Sequence, residues 1–234
     1  MISIVIPTLN EEEYLRKTIE HTLSCAEKKE ELEIIVIDAG STDSTLESIE
    51  AMRVKTFSLP EFIFKKFLSM NFGAQQSSGE VILFLDADTF LPEGFDQKIR
   101  KVLQNQKVYG GAFEFSFLKP DWKLSIITFI NRIRYRFGRV YYGDQAVFLR
   151  RSALEEIGGV PENPLMETAY LCKRLRRAGK LSLIKSSIKT SPRRFNEHGF
   201  FKIAWFDLNM FIRFNLGFPV SPYAEKYWSK NLKT

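Results

Sequence analysis

The chain has 234 residues, 44% hydrophobic and 26% charged, with a formal net charge of +6. That length suits one α/β domain whose core needs no disulfide or zinc staple, and two isolated cysteines, Cys25 and Cys172, exclude a disulfide framework and point to a reducing compartment. Residues 1–118 carry 12 Lys/Arg against 19 Asp/Glu and residues 119–234 carry 22 against 9, so the second half favours anions. No helix-turn-helix, zinc-finger or aromatic RNA-binding signature makes nucleic acid the partner.

Residues 2–6, ISIVI, read as a strand buried on both faces, which Pro7 stops because it brings no N–H to the ladder. Asn10 then stands where it can cap a helix, with Glu11, Glu12 and Glu13 in the first turn and Tyr14, Leu15, Thr18, Ile19 and Leu23 at helical spacing. Residues 34–37 form a second buried strand running into Asp38. The following turn contains Gly40, and Ser41, Asp43 and Ser44 are placed to cap a helix opening near Thr45. A weaker strand over 53–58, a connection ending in Lys65 and Lys66, and a helix over 67–76 lead to residues 81–85, VILFL.

This strand runs into Asp86-Ala87-Asp88. In an open α/β sheet ligands sit beyond the carboxyl ends of the strands, and residues i and i+2 of an extended segment share a side, so both carboxylates can face one object. Two such charges call for a cation, and hard oxygen donors suit Mg²⁺ or Mn²⁺. A turn over 91–94, a helix over 95–103 and a strand over 108–117 follow. The alternation predicts a parallel sheet with right-handed crossovers.

Residues 122–139 set Ile126, Ile127, Phe129, Ile130 and Ile133 against Arg132, Arg134, Arg136 and Arg139, a basic amphipathic helix that covers the sheet or lies on a membrane surface. Gly143-Asp144-Gln145 precedes a strand over 146–149 and a helix over 151–157. A Gly-Gly-Val-Pro loop leads to a helix over 166–178, with Glu167 in the first turn where the dipole favours it. Short strands over 181–184 and 188–190, a strongly apolar helix over 200–214 and a short helix over 222–228 complete the chain. No uncharged apolar run reaches the roughly 18 residues of a membrane span, and the first residues lack the pattern of a signal peptide. The expectation is a cytoplasmic protein, with peripheral contact at the inner face of a membrane left open.

Taken in order, IVIPTLNE, IDAGSTDST, MNFGAQQSSGEVILFLDADT, YYGDQAVFLRR, IGGVPE and PLMETAYLCKRLRRAG resemble the family 2 glycosyltransferases of the GT-A fold, over nearly the whole chain. Within that family the sequence is similar to a small branch often encoded beside radical-enzyme and selenium-related genes. The resemblance implies a single α/β domain over 1–234, a mostly parallel central sheet flanked by helices with a C-terminal helical extension. Residues 1–118 would form the nucleotide- and metal-binding half and 119–234 the acceptor half. It also implies a metal-dependent, inverting transfer of a sugar from a UDP- or GDP-sugar to an acceptor hydroxyl, with Mn²⁺ or Mg²⁺ as cofactor.

By the same resemblance Pro7, Thr8, Asn10 and Glu11 line the nucleotide pocket, and Asp38, Gly40 and Ser41 hold the base and ribose. Asn71 and Gly73 approach the nucleotide again, Asp86 contacts the ribose or the metal through water, and Asp88 ligates the metal. The acceptor is unspecified, and the basic amphipathic helices make a lipid-linked one the class to consider. One position departs from the pattern. Where relatives begin the helix after the GG-x-P-E loop with Glu-Asp, the Asp serving as general base, this chain has Glu167-Thr168. A threonine hydroxyl does not accept a proton near neutral pH, so the base falls to Glu167 first and Asp144 second. Two other readings stay open: a nucleotidyltransferase, which predicts a Gly-rich phosphate loop that PTLNEEE does not supply, and a nucleotide-sugar-binding or membrane-associated scaffold without turnover.

Overall fold

The computed structural model describes residues 1–138 and 141–224. In chain order the elements are β1 (Ile2–Thr8), α1 (Leu15–Cys25), β2 (Leu32–Asp38), β3 (Lys55–Ser58), α2 (Lys66–Gln76), β4 (Val81–Phe84), β5 (Thr89–Phe90), α3 (Phe95–Leu103), β6 (Val108–Phe117), α4 (Trp122–Gly138), β7 (Phe148–Arg150), α5 (Arg151–Glu156), α6 (Glu167–Ala178), β8 (Lys180–Thr190), α7 (Arg193–His198) and α8 (Phe200–Leu216). The strands form one sheet in the order β3-β2-β1-β4-β7-β6-β8-β5. The run β3-β2-β1-β4 is parallel, β7 enters antiparallel between β4 and β6, β6 and β8 are parallel, and β5 closes the edge antiparallel to β8.

The apolar runs explain the centre of the sheet. Ile4, Val5 and Ile6 of β1 and Ile35, Val36 and Ile37 of β2 are all fully buried, which is the pattern of strands covered on both faces. Each such side chain contributes about 2 kcal/mol by leaving water. α2 lies on β1 and β2, and Gly73 permits the approach: a Cβ there would stand 2.3 Å from Val5 Cγ1 and 3.2 Å from Ile37 Cγ1.

Several expectations are corrected, each for a local reason. β1 runs through Pro7 to Thr8. The Val5 carbonyl accepts from Leu85 N on the β4 side, and Pro7, two residues on, faces that same side just where β4 has ended, so its missing N–H costs no ladder bond. Asn10 is not a helix cap. It sits at φ 54°, α1 begins at Leu15, and no helix opens at Thr45, where only a 3₁₀ turn over Glu47–Ile49 follows. The two loops satisfy each other instead: Asn10 N donates to Ser41 Oγ, Glu11 N to Thr45 Oγ1, Thr42 N to Asn10 Oδ1 and Ser44 N to Glu12 Oε2.

Asp86 to Thr89 is a turn closed by Thr89 N on the Asp86 carbonyl rather than an extended segment. β7 starts at Phe148 because Ala146, at φ 49°, ends a 3₁₀ turn over Gly143–Gln145. The two short strands near the C-terminal end are one strand, β8, whose register on β6 shifts between Phe113 and Glu114. α7, absent from the sequence reading, fills the step between β8 and α8. The final residue of the amphipathic segment, Arg139, and all but the start of the 222–228 helix lie outside the described residues. The described start is a 3₁₀ turn over Ser221–Tyr223.

Candidate functional site

A cavity of about 380 Å³ opens beyond the carboxyl ends of β1 and β4. It is lined there by Pro7, Thr8, Asn10, Glu11, Asp86 and Asp88, and from the opposite side by Asn131 of α4, Asp144 of the turn before β7, Arg193, Arg194 and Glu197 of α7 and Asp207 of α8. The sheet therefore delivers residues distant in the chain to the place where an α/β fold binds its ligands.

Glu11, Asp86 and Asp88 each meet a basic side chain. Lys66 Nζ, at the start of α2, lies 2.5 Å from Asp86 Oδ1 and 3.7 Å from Glu167 Oε1. The Arg193 guanidinium pairs with Glu11 and stands 3.6 Å from Asp88 Oδ2. Thr190 Oγ1 donates to Asp88 Oδ1 at 3.4 Å, and the Arg193 guanidinium rests 5.4 Å from the centre of the Tyr14 ring. Across the cavity Arg134 stacks on Tyr142 at 3.7 Å, and Arg194 reaches Asp207 at 3.4 Å.

Among the described residues the cavity walls hold six carboxylates, of Glu11, Asp86, Asp88, Asp144, Glu197 and Asp207, against three cations, of Lys66, Arg193 and Arg194. Titration reflects burial first and the neighbouring carboxylates second. Burial pushes Glu11 up to about 7 even though Arg193 opposes it, and burial likewise raises Asp88 against the same guanidinium. Asp144 is pushed up to about 6 by burial, with Arg134 opposing and Asp86 and Asp207 adding to the rise. Its Oδ1 is buried without a hydrogen-bond partner among the described residues. Such displaced carboxyls, gathered in one cleft, are the physical signature of a reactive or ligand-binding site.

Of the residues singled out in the sequence, Pro7, Thr8, Asn10, Glu11, Asp86, Asp88 and Asp144 share this cavity. The others are not among its lining residues. Asp38 accepts from Gly40 N at 3.0 Å, from the N–H and hydroxyl of Ser41 and from Ser58 Oγ, so its carboxylate builds its own turn. Asn71 donates Nδ2 to the Val160 carbonyl and accepts from Val160 N, pinning the loop after α5, while Gly73 seats α2 on the sheet. Glu167 is buried beside Lys66 and Thr168. The sequence reading did not assign Lys66, Arg193, Arg194, Asn131 or Asp207. For α7 a signal was present: Ser191-Pro192 ahead of the helix and Gly199, at φ 85°, behind it are ordinary start and stop residues.

Among the described residues no group of three or more His, Cys, Asp or Glu side chains is placed to hold a metal ion. Asp86 and Asp88 nevertheless offer what a hard cation takes when its remaining positions go to ligand phosphates and water. The excess of carboxylate over cation in the walls favours added positive charge. The donor set fits Mg²⁺ or Mn²⁺.

The model of the family described as "Glycosyl transferase family 2" matches residues 3–158. Among curated proteins, an "Uncharacterized glycosyltransferase" of Haemophilus influenzae is 32% identical over 143 residues, covering 58% of this chain and 55% of its own. An undecaprenyl-phosphate 4-deoxy-4-formamido-L-arabinose transferase of Proteus mirabilis is 32% identical over 97 residues, covering 37% of this chain and 28% of its own. The chain thus spans about half the length, or less, of these relatives. Among solved structures, TarS of S. aureus in complex with UDP superposes with a TM-score of 0.62 at 20% identity, over 81% of this chain and 60% of its own. A mannosyltransferase of Pyrobaculum calidifontis in complex with GDP-Man and Mn²⁺ gives 0.66 at 18% identity, over 80% and 56%. At these identities the likeness shows the GT-A-like fold.

Proposed function

The chain belongs to glycosyl transferase family 2, and we propose that it moves a sugar from a UDP- or GDP-linked donor to a lipid-linked acceptor hydroxyl, with inversion at the sugar carbon. The observation that carries this reading is the single cavity in which Glu11, Asp86 and Asp88 at the strand ends face Asp144 on the far wall. The donor diphosphate would lie on the strand-end side, and Asp88 with Asp86 would hold the divalent ion. When bound, that cation supplies Lewis-acid stabilisation of the diphosphate leaving group. Lys66 and Arg193, beside Asp86 and Asp88, would share the same task.

We assign Asp144 as the general base in preference to Glu167. Asp144 lines the cavity with a buried oxygen that has no partner among the described residues and a carboxyl at about 6, high enough to take a proton and low enough to be ionised at neutral pH. Glu167 stands outside the cavity lining with Lys66 beside it. The Asp144 carboxylate takes the acceptor proton while the acceptor oxygen attacks the sugar carbon from the face opposite the departing diphosphate. The bond from that carbon to the phosphate oxygen breaks, and the nucleoside diphosphate leaves with the electron pair. A polyprenyl-phosphate transferase among the relatives supports a lipid-linked acceptor as the class to screen first.

The test is release of UDP or GDP from a panel of sugar nucleotides, with Mn²⁺, in the presence of polyprenyl acceptors. Acceptor-dependent release from one donor is the expected result. Folded protein that binds a donor and never turns it over, with every acceptor class tried, overturns the transferase reading in favour of a binding role.

A further inference from the structure

Two helices of the second half are apolar on the side that faces away from the protein. α4 turns Leu124 and Tyr135 into the core, yet Trp122, Ile126, Phe129, Ile130 and Ile133 recur at helical spacing on its outer face, with Trp122 and Phe129 69% and 63% exposed. α8 repeats the arrangement. Ile203, Met210 and Phe214 are buried, while Phe201, Trp205, Leu208, Ile212 and Leu216 form a second outer stripe, with Phe201 and Trp205 78% and 70% exposed. Scattered surface hydrophobics need no explanation, but two five-residue stripes in helical register are a face built for an apolar medium.

The charges around the stripes identify the medium. Every charged residue of α4 described in the structure is basic: Lys123, Arg132, Arg134 and Arg136, of which Arg132 and Arg136 share the one carboxylate of Glu114 and Arg134 lies on the Tyr142 ring, so the helix keeps a net positive charge. Lys123 Nζ lies 5.6 Å from the Trp122 ring and 5.9 Å from the Phe200 ring, joining the start of α4 to the start of α8. At the other end of α8 the Arg213 guanidinium lies 5.9 Å from the Phe218 ring, itself half exposed. Aromatic rings with cations beside them are the side chains that settle at the boundary between headgroups and acyl chains. Among the described residues no helix is long and apolar enough to cross a membrane, so both helices would lie in the boundary plane. They also supply cavity wall, through Ile127 and Asn131 of α4 and Asp207 of α8.

We propose that the outer faces of α4 and α8 together form a docking surface for an anionic lipid bilayer, which brings the mouth of the cavity to the headgroup level. The occupant is lipid rather than a second copy of the chain because α4, still net positive after Glu114 offsets one of its four cations, would repel its symmetry mate, whereas acidic headgroups complement it.

The test is co-sedimentation of the whole chain with phosphatidylglycerol vesicles and with phosphatidylcholine vesicles at low and high salt, alongside Phe129→Glu/Trp205→Glu and Lys123→Glu. No donor or acceptor is added, so the outcome is independent of the transfer reaction. The wild type should bind phosphatidylglycerol, less well at high salt, and the double variant should partition at least about tenfold more weakly. Lys123→Glu should weaken binding most at low salt. Both substitutions replace exposed side chains, and an unchanged thermal melt confirms that each variant is folded. Wild-type protein left in the supernatant at low salt, or a double variant that binds equally well, overturns the proposal. So does a wild-type dimer by light scattering that the double variant abolishes without any vesicle binding, which would make the face a protein interface.

Discussion

Replacing Asp144 by Asn keeps the shape of the side chain and removes its ability to accept a proton. A positioned general base contributes about 10² to 10⁴ in rate, or about 3 to 5 kcal/mol of barrier. With the Asp144 carboxyl at about 6, it is about nine-tenths ionised at neutral pH and about one-tenth ionised one unit below its midpoint. The wild-type kcat/KM should therefore rise with pH through a limb centred near 6 and then level. Asp144→Asn should be slower by at least about 100-fold and should lack that limb. Glu11, also raised by burial, remains in the variant, so a limb that survives Asp144→Asn belongs to another group. Glu167→Gln serves as the comparison and should stay within about tenfold of wild type. The assay is nucleoside diphosphate release at saturating metal across the pH range. An Asp144→Asn enzyme with full activity and an unmoved acid limb, beside an inactive Glu167→Gln, would refute the reasoning and return the base to Glu167.

Three further outcomes follow from contacts elsewhere. Gly73→Ala drives a methyl into Val5 and Ile37, and overpacking of about 1 to 3 kcal/mol should exceed the helix gain of about 1 kcal/mol, so a urea melt should show a small net loss. Unchanged stability with lost nucleotide binding would instead place Gly73 against the donor. Arg193→Met removes the guanidinium beside Asp88, and Mn²⁺ should bind about tenfold more tightly, about 1.4 kcal/mol, by direct titration. Weaker Mn²⁺ binding would contradict competition at that carboxylate. Burial works to raise Glu33, yet hydrogen bonds from Lys55, Ser3 and Ser78 hold it at about 2. A depressed carboxyl stabilises the fold above its ordinary value near 4.5 and loses that contribution as pH falls towards 2. Allowing for solvent screening, Glu33→Gln should cost about 1 kcal/mol at neutral pH and almost nothing near the lower limit, read from denaturant melts.

The apolar strands and long helices were legible because burial alone specifies them. The bounds expected for residues 95–103 and 108–117 are those of α3 and β6, where the apolar pattern and the turn residues agree. The loops at the strand ends were read less well. Asn10, Ser41, Asp43 and Thr45 all have the chemistry of helix caps, and nothing local says that they bond one another across about 30 residues of chain. The site divides the same way. Asp86 and Asp88 stood out because carboxylates closing a buried strand are conspicuous. Arg193 and Lys66 could not be chosen from 34 basic residues without the fold that brings them to Glu11 and Asp86. The amphipathic character of residues 122–139 was visible, but whether its apolar side faced the sheet or solvent was a question of packing, and the answer was both.

The most direct measurement is a calorimetric titration of UDP, GDP and their sugar conjugates, with Mn²⁺ and with chelator, on the wild type and on Asp88→Ala. Binding of one nucleotide class that needs both the metal and Asp88 is the predicted result. No binding by folded wild-type protein, or equal binding by Asp88→Ala in chelator, would contradict a donor site at the ends of β1 and β4.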